Sequence, residues 1–121
     1  MRHVRNGPLI QHSFEISNLL KTTFMIIVHD IFICKPGNAS KVAKLFKEVM
    51  ANNEELVNIM TDMSGQYNRV VMVSKYDSLS AFEASWKKYE QNTDEMKKMR
   101  EKMAGYTEMY LTGSREIYQV W

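Results

Sequence analysis

The sequence predicts an α+β fold: a four-stranded antiparallel sheet with helices on one side, in the order βαββααβ. Three observations lead there. Residues 25–34, MIIVHDIFIC, are a run of β-branched and aromatic residues closed by Lys35-Pro36-Gly37, which reads as a buried strand ended by a turn. Residues 55–63 and 67–76 are two further strand-like runs, and the short glycine-containing link Ser64-Gly65-Gln66 makes them a hairpin. Between and after these strands, apolar residues recur at helical spacing.

Each element has its own signals. After Gly37, Asn38 stands where a helix N-cap belongs, and Val42, Leu45, Phe46 and Val49 mark one face of a helix over 39–51, stopped by Asn52-Asn53. Ser80 and Glu83 have capping-box spacing, and Leu79, Phe82, Trp86 and Tyr89 form the inward stripe of a helix over 79–90. Thr93 supplies a cap, and Asp94 and Glu95 supply the acids that suit a first helical turn. Met96, Met99 and Met103 continue at i, i+3 and i+7, so a third helix reaches toward Tyr110, with Gly105 a point of termination or kinking. Gly113 then closes that segment, and Arg115–Trp121 forms the last strand. The first 24 residues carry no sustained period and read as an N-terminal extension, leaving 25–121 as the folded domain; a start at Met25 is the other reading.

Bulk composition narrows the function classes. A chain of 121 residues is one domain by length. Its formal net charge is +2, and the pairs Lys87-Lys88 and Lys97-Lys98 are too short for phosphate tracking, so no nucleic-acid partner is expected. Cys34 is the only cysteine, which excludes an intrachain disulfide and a cysteine-based zinc site; a cytoplasmic setting is the simplest account. The N-terminus lacks the apolar run and cleavage pattern of a secretory signal, and the apolar runs fall short of the roughly 20 residues that span a bilayer, so no membrane partner is expected. No phosphate loop, zinc-protease or nucleophile-elbow motif is present, and no metal or cofactor is expected.

The first strand has two apolar sides. His29, Ile31 and Ile33 alternate onto one, and Val28, Asp30, Phe32 and Cys34 onto the other. Helices of a ferredoxin-like βαββααβ sandwich cover only one face of the sheet, so the second face calls for a partner sheet, and a homodimer is expected with His29, Ile31 and Ile33 at the contact. His29 would there find polar partners in Gln119, Arg115 or Arg69; one histidine is no metal site by itself.

From Met25 onward the sequence resembles the dimeric α/β-barrel superfamily, in particular its antibiotic-biosynthesis-monooxygenase-like and NIPSNAP-like branches. IFICKPG, VVMVSKYDSLSAFEASW and SREIYQVW carry the resemblance in order and spacing. It implies a pocket between sheet and helices, with the position seven residues before the turn glycine, here Asp30, pointing in. That position resembles an asparagine in haem-degrading members and often an arginine in NIPSNAP-like ones. The position six residues before the helix phenylalanine is commonly tryptophan; here it is Tyr76. Haem-degrading members also use a histidine after that phenylalanine. His3, His12 and His29 all precede Phe82, so haem binding of that kind is not expected.

Asp30 and Tyr76 are therefore the candidate catalytic residues, in a pocket also lined by Val28, Phe32, Met72, Ser74, Phe82, Trp86 and Met99. A carboxylate in apolar surroundings can serve as a general base; equally, it can be a structural acceptor of hydrogen bonds from Tyr76 or Ser74. Ten methionines read as packing and pocket wall. Two functions follow. One is a cofactor-independent monooxygenase-like enzyme acting on a small apolar molecule. The other is a non-catalytic homodimeric module that binds a ligand or a protein.

Overall fold

The computed structural model describes residues 24–121, so the expected extension lies outside the described residues except for its last position. The described chain runs β1 (Ile26–Cys34), α1 (Ala39–Val49), β2 (Leu56–Thr61), β3 (Arg69–Tyr76), α2 (Leu79–Tyr89), α3 (Asp94–Lys102), a 3-10 turn at Tyr106–Glu108 and β4 (Tyr110–Gln119). The four strands pair in the order β2-β3-β1-β4, antiparallel throughout. This is the expected ferredoxin-like α+β arrangement. The sheet is open, with β2 and β4 as edges; closure into a barrel requires a second sheet.

Local chemistry sets the ends of the elements. Gly37 takes φ +85°, and the Asn38 N–H bonds the Lys35 carbonyl at 3.0 Å, which turns the chain out of β1 into α1. The Asn38 side chain makes no cap hydrogen bond, contrary to expectation; its backbone lies in the right-handed region, which aims the amide away from the helix end. α2 is capped by Ser78, whose Oγ accepts from the Ala81 N–H at 3.0 Å. The capping box expected at Ser80 and Glu83 therefore lies inside the helix. Thr93 caps α3 as expected, accepting from the Met96 N–H at 3.2 Å. α3 ends at Lys102 instead of running on toward Tyr110, because Gly105 adopts φ +83° and starts the 3-10 turn. Gly113 does not close that segment. It sits inside β4 opposite Phe32, where a Cβ would lie 3.4 Å from the Ile31 carbonyl oxygen and 3.6 Å from the Phe32 ring.

Helices cover the face that carries the even positions of β1. One cluster joins Cys34, Val42, Phe46 and Val70, with Phe32 edge-on to Phe46 at 4.9 Å and to Tyr110 at 5.1 Å. A second joins Ile26, Val28, Tyr76 and Phe82. Burial pushes the Cys34 thiol above its ordinary range. Leu79 and Trp86, expected on the inward stripe of α2, are about half exposed, at 56% and 48%; Phe82 alone of that stripe is buried. Of the methionine stripe, Met96 is buried and Met99 and Met103 are partly so.

Candidate functional site

The two core clusters leave a gap where their sheet positions are short or polar. On the helix-facing side of β1 and β3, Val28 pairs with Ser74 and Asp30 with Met72. Between this part of the sheet and the helices α2 and α3 lies a cleft of ≈ 380 Å³. Its floor is Asp30, Leu56, Met72, Ser74, Tyr76 and Arg115. Phe82, Ser85, Trp86, Tyr89 and Glu90 of α2 form one wall, and Met99 and Met103 form another. Val49, Met50 and Asn53, where α1 runs into β2, close the end. That size lies within the range of small-molecule sites, and a mainly apolar lining with a few converging polar groups is their usual composition.

Asp30 and Tyr76 both line the cleft, as do Met72, Ser74, Phe82, Trp86 and Met99. Val28 and Phe32 do not. Val28 is fully buried beneath Tyr76 and Phe82, and Phe32 packs into the other cluster. Burial raises the Tyr76 phenol above its ordinary pKa, partly offset by a hydrogen bond with Ser85. That phenol stays protonated and serves as a hydrogen-bonding group.

The partner of Asp30 is the residue that sequence reasoning placed elsewhere. Arg115 Nε donates to Asp30 Oδ1 at 2.6 Å, with the Asp30 side chain 15% and the Arg115 side chain 42% exposed. The guanidinium carbon lies 5.4 Å from the Phe82 ring centre and 5.1 Å from that of Trp86, a spacing at which the ring quadrupoles attract a cation. Arg115 and Gln119 had been expected on the His29 side. The antiparallel register sets Asp30 opposite Arg115 and Ile26 opposite Gln119, so both share the helix-facing side. His29 instead stands opposite Glu116 on the open side, with its ring 5.2 Å from that of Tyr118. The Tyr118 hydroxyl donates to Glu116 Oε1 at 2.6 Å. A signal for this was present: antiparallel pairing of His29-Asp30 with Arg115-Glu116 puts an acid opposite a basic residue on both faces at once.

At the cleft's closed end, Asn53 Nδ2 donates to the Tyr89 oxygen at 2.6 Å. Among the described residues, no group of three or more histidine, cysteine or acidic side chains could hold a metal ion. No helix there is long and apolar enough to cross a membrane.

The described residues form a four-stranded antiparallel sheet with three helices on one face, and solved structures share this fold. A NIPSNAP family protein from Agrobacterium tumefaciens superposes with a TM-score of 0.65 at 16% identity, over 80% of this chain and 86% of that one. A NIPSNAP-like domain protein from Burkholderia xenovorans gives 0.64 at 16%, over 82% and 87%. A putative antibiotic biosynthesis monooxygenase from Chloroflexus aurantiacus gives 0.57 at 10%, over 80% and 93%. No protein-family model and no curated protein matches the sequence. The chain therefore has the NIPSNAP-like and monooxygenase-like ferredoxin fold, as its sequence resemblance implied. Similarity at these identities establishes the fold.

Proposed function

We propose that the protein binds a small, largely apolar molecule in the cleft beside Asp30, through an acceptor oxygen held by Arg115, and that it does so as a homodimer. The observation that carries this is the state of Arg115. Asp30 and two aromatic rings hold its guanidinium in place, yet only Nε is bonded to protein among the described residues. Its Nη groups remain as a planar donor edge, which matches a carboxylate or carbonyl oxygen.

Charge contributes little to the choice of ligand. At an effective dielectric near 20, a ligand carboxylate about 4 Å from the guanidinium gains roughly 4 kcal/mol, and at roughly 6 Å from Asp30 it loses roughly 3 kcal/mol. Affinity then rests on the hydrogen-bonding fork and on burial against Met72, Phe82, Trp86 and Met99, at about 25 cal/mol per Å² of apolar surface. Calorimetric titration with small aryl and alkyl carboxylic acids, and with the matching methyl ketones, tests this. Micromolar to millimolar binding that Arg115→Ala abolishes is the expected result. Absence of binding by every member of both series would refute it.

Support for the dimer comes from the open sheet face. It carries Ile31, Ile33 and Val71 at its centre, and the described helices pack on the opposite face.

A catalytic reading has one observation in its favour. Asp30 Oδ2 makes no hydrogen bond among the described residues, and Tyr76 lines the same cleft. Asp30 would then act as base in a cofactor-independent oxygenation. Oxygen uptake with an activated phenol or enol, abolished by Asp30→Asn with ligand binding retained, would support that reading over simple binding.

A further inference from the structure

The cleft beside Asp30 does not stop at its closed end. A second hollow of ≈ 270 Å³ lies behind it, between the end of α1, the end of α2 and α3. The two share Val49, Met50, Asn53, Tyr89 and Met99 as lining, so the same side chains are the partition between them. The partition is closed at one point, where the Asn53 amide meets the Tyr89 hydroxyl at 2.6 Å and Met50 Sδ lies 3.8 Å from each.

The parts of that partition differ in how far they are fixed. Asn53 Oδ1 accepts from the backbone N–H of Glu55 at 2.9 Å and of Leu56 at 3.1 Å, so moving Asn53 would undo the entry into β2. The backbone at Tyr89 is tied down as well: an Arg100 Nη donates to its carbonyl at 3.3 Å and to that of Gln91 at 2.7 Å. What remains free to move is the Tyr89 ring and the Met50 and Met99 thioethers, which are unbranched and adaptable. Rotation of the ring breaks the hydrogen bond from Asn53 and the weaker one to Met50 Sδ and would join the two hollows. Behind it lie Met96 and Met99, and the hollow is also lined by Lys88, Lys98 and Lys102 with Glu48, Asn52 and Glu95; lysine methylenes can lie against an apolar chain while their ammonium groups stay with the acids, as Lys102 does with Glu48.

We propose that Tyr89 is a latch that sets the length of ligand the site accepts. A molecule whose acidic head sits at Arg115 and whose apolar chain fills the first hollow is stopped by the closed Tyr89–Asn53 contact. A longer chain displaces the ring and ends in the second hollow. This rests on the reading of the Arg115 cleft as a ligand site, and it names the class of ligand as straight-chain or narrow apolar carboxylic acids.

The test titrates the full chain with saturated straight-chain carboxylates from butanoate to dodecanoate, below their aggregation limits. Wild type is compared with Tyr89→Phe and Tyr89→Ala, and thermal midpoints confirm folding. Each buried methylene should improve affinity about fourfold until the chain reaches the latch, where wild type should break from that slope. Tyr89→Ala should carry the slope on to longer acids, with at least a tenfold gain for the longest. Tyr89→Phe keeps the ring and its packing but loses the hydrogen bond, so its break should fall at an intermediate length even if the alanine variant fails to fold. An identical break in wild type and Tyr89→Phe, or a break that Tyr89→Ala does not move, overturns the latch while leaving the Arg115 site standing. Failure of every acid to bind overturns both.

Discussion

Asp30 and Arg115 lie 85 residues apart in sequence and meet at 2.6 Å, each from the middle of its strand and on the same face of the sheet. The acid is nearly enclosed and the base is close to half exposed, so the pair joins the interior of the cleft to its mouth. Such a pair is worth little as a brace, since solvent screens the exposed member. Its value lies in fixing the guanidinium plane against Phe82 and Trp86.

Arg115→Ala should therefore cost roughly 1 kcal/mol or less in stability, but at least tenfold in affinity for any acid that binds the cleft. Asp30→Asn keeps the shape and one acceptor oxygen. It should shift the urea midpoint little and weaken binding severalfold by loosening Arg115. Chemical denaturation and calorimetry on the same samples separate the two effects. A large stability loss with unchanged affinity would assign the pair a purely structural role.

The two serines near the start of α2 should behave oppositely. Ser78→Ala removes the side chain that satisfies the Ala81 N–H and should cost about 1 kcal/mol, or about 4–8 °C in Tm for a domain of this size. Ser80 is exposed within the helix. Its replacement by alanine should change stability by roughly 0.5 kcal/mol or less.

Alkaline stability depends on the buried phenols. Burial raises Tyr76 and Tyr89 above the ordinary tyrosine value. Below about pH 10 both phenols are neutral in the folded and unfolded states, and their contribution is fully present. Above it the unfolded chain ionises first, so stability falls as pH rises through the folded values. Urea midpoints should drop from about pH 10 upward, and Tyr76→Phe should flatten part of that drop. A profile unchanged in the variant would show that Tyr76 does not carry it.

The open face supplies the dimer prediction. Multi-angle light scattering should give twice the chain mass at micromolar concentration, and Ile31→Lys should give a folded monomer, because a charge at the centre of the packed sheets would be buried without a partner. A wild-type monomer would refute the homodimer.

Much of the fold was legible because it depends on local patterns. The run ending at Pro36-Gly37, the hairpin over Gly65 and the Thr93 cap each act within a few residues. The site was legible on β1, β3 and the helices but not on β4. Alternation along β1 put Asp30 toward the helices without reference to any other strand, but placing Arg115 required the β1–β4 register. Gly113 obscured that register. A glycine in a polar stretch reads as a stop, whereas here it is a strand position paired with Phe32. The cap of α2 was missed because Ser80 and Glu83 have capping-box spacing, whereas the Ser78 hydroxyl is the one that accepts from the Ala81 N–H.

The paired dipeptides His29-Asp30 and Arg115-Glu116 also bear on how the chain finds its fold. β1 and β4 come from opposite ends of the described domain, so their pairing closes a long loop and is entropically expensive to form. β1 is rich in apolar residues that would tolerate a slip. A slip of one position in one direction sets Asp30 against Glu116, and in the other it moves Arg115 off the acid and opposite His29. Either error also turns the apolar residues of β4 to the wrong face. The same two charges that line the cleft thus favour the native β1–β4 register, and variants that neutralise them should refold more slowly, as stopped-flow refolding would show.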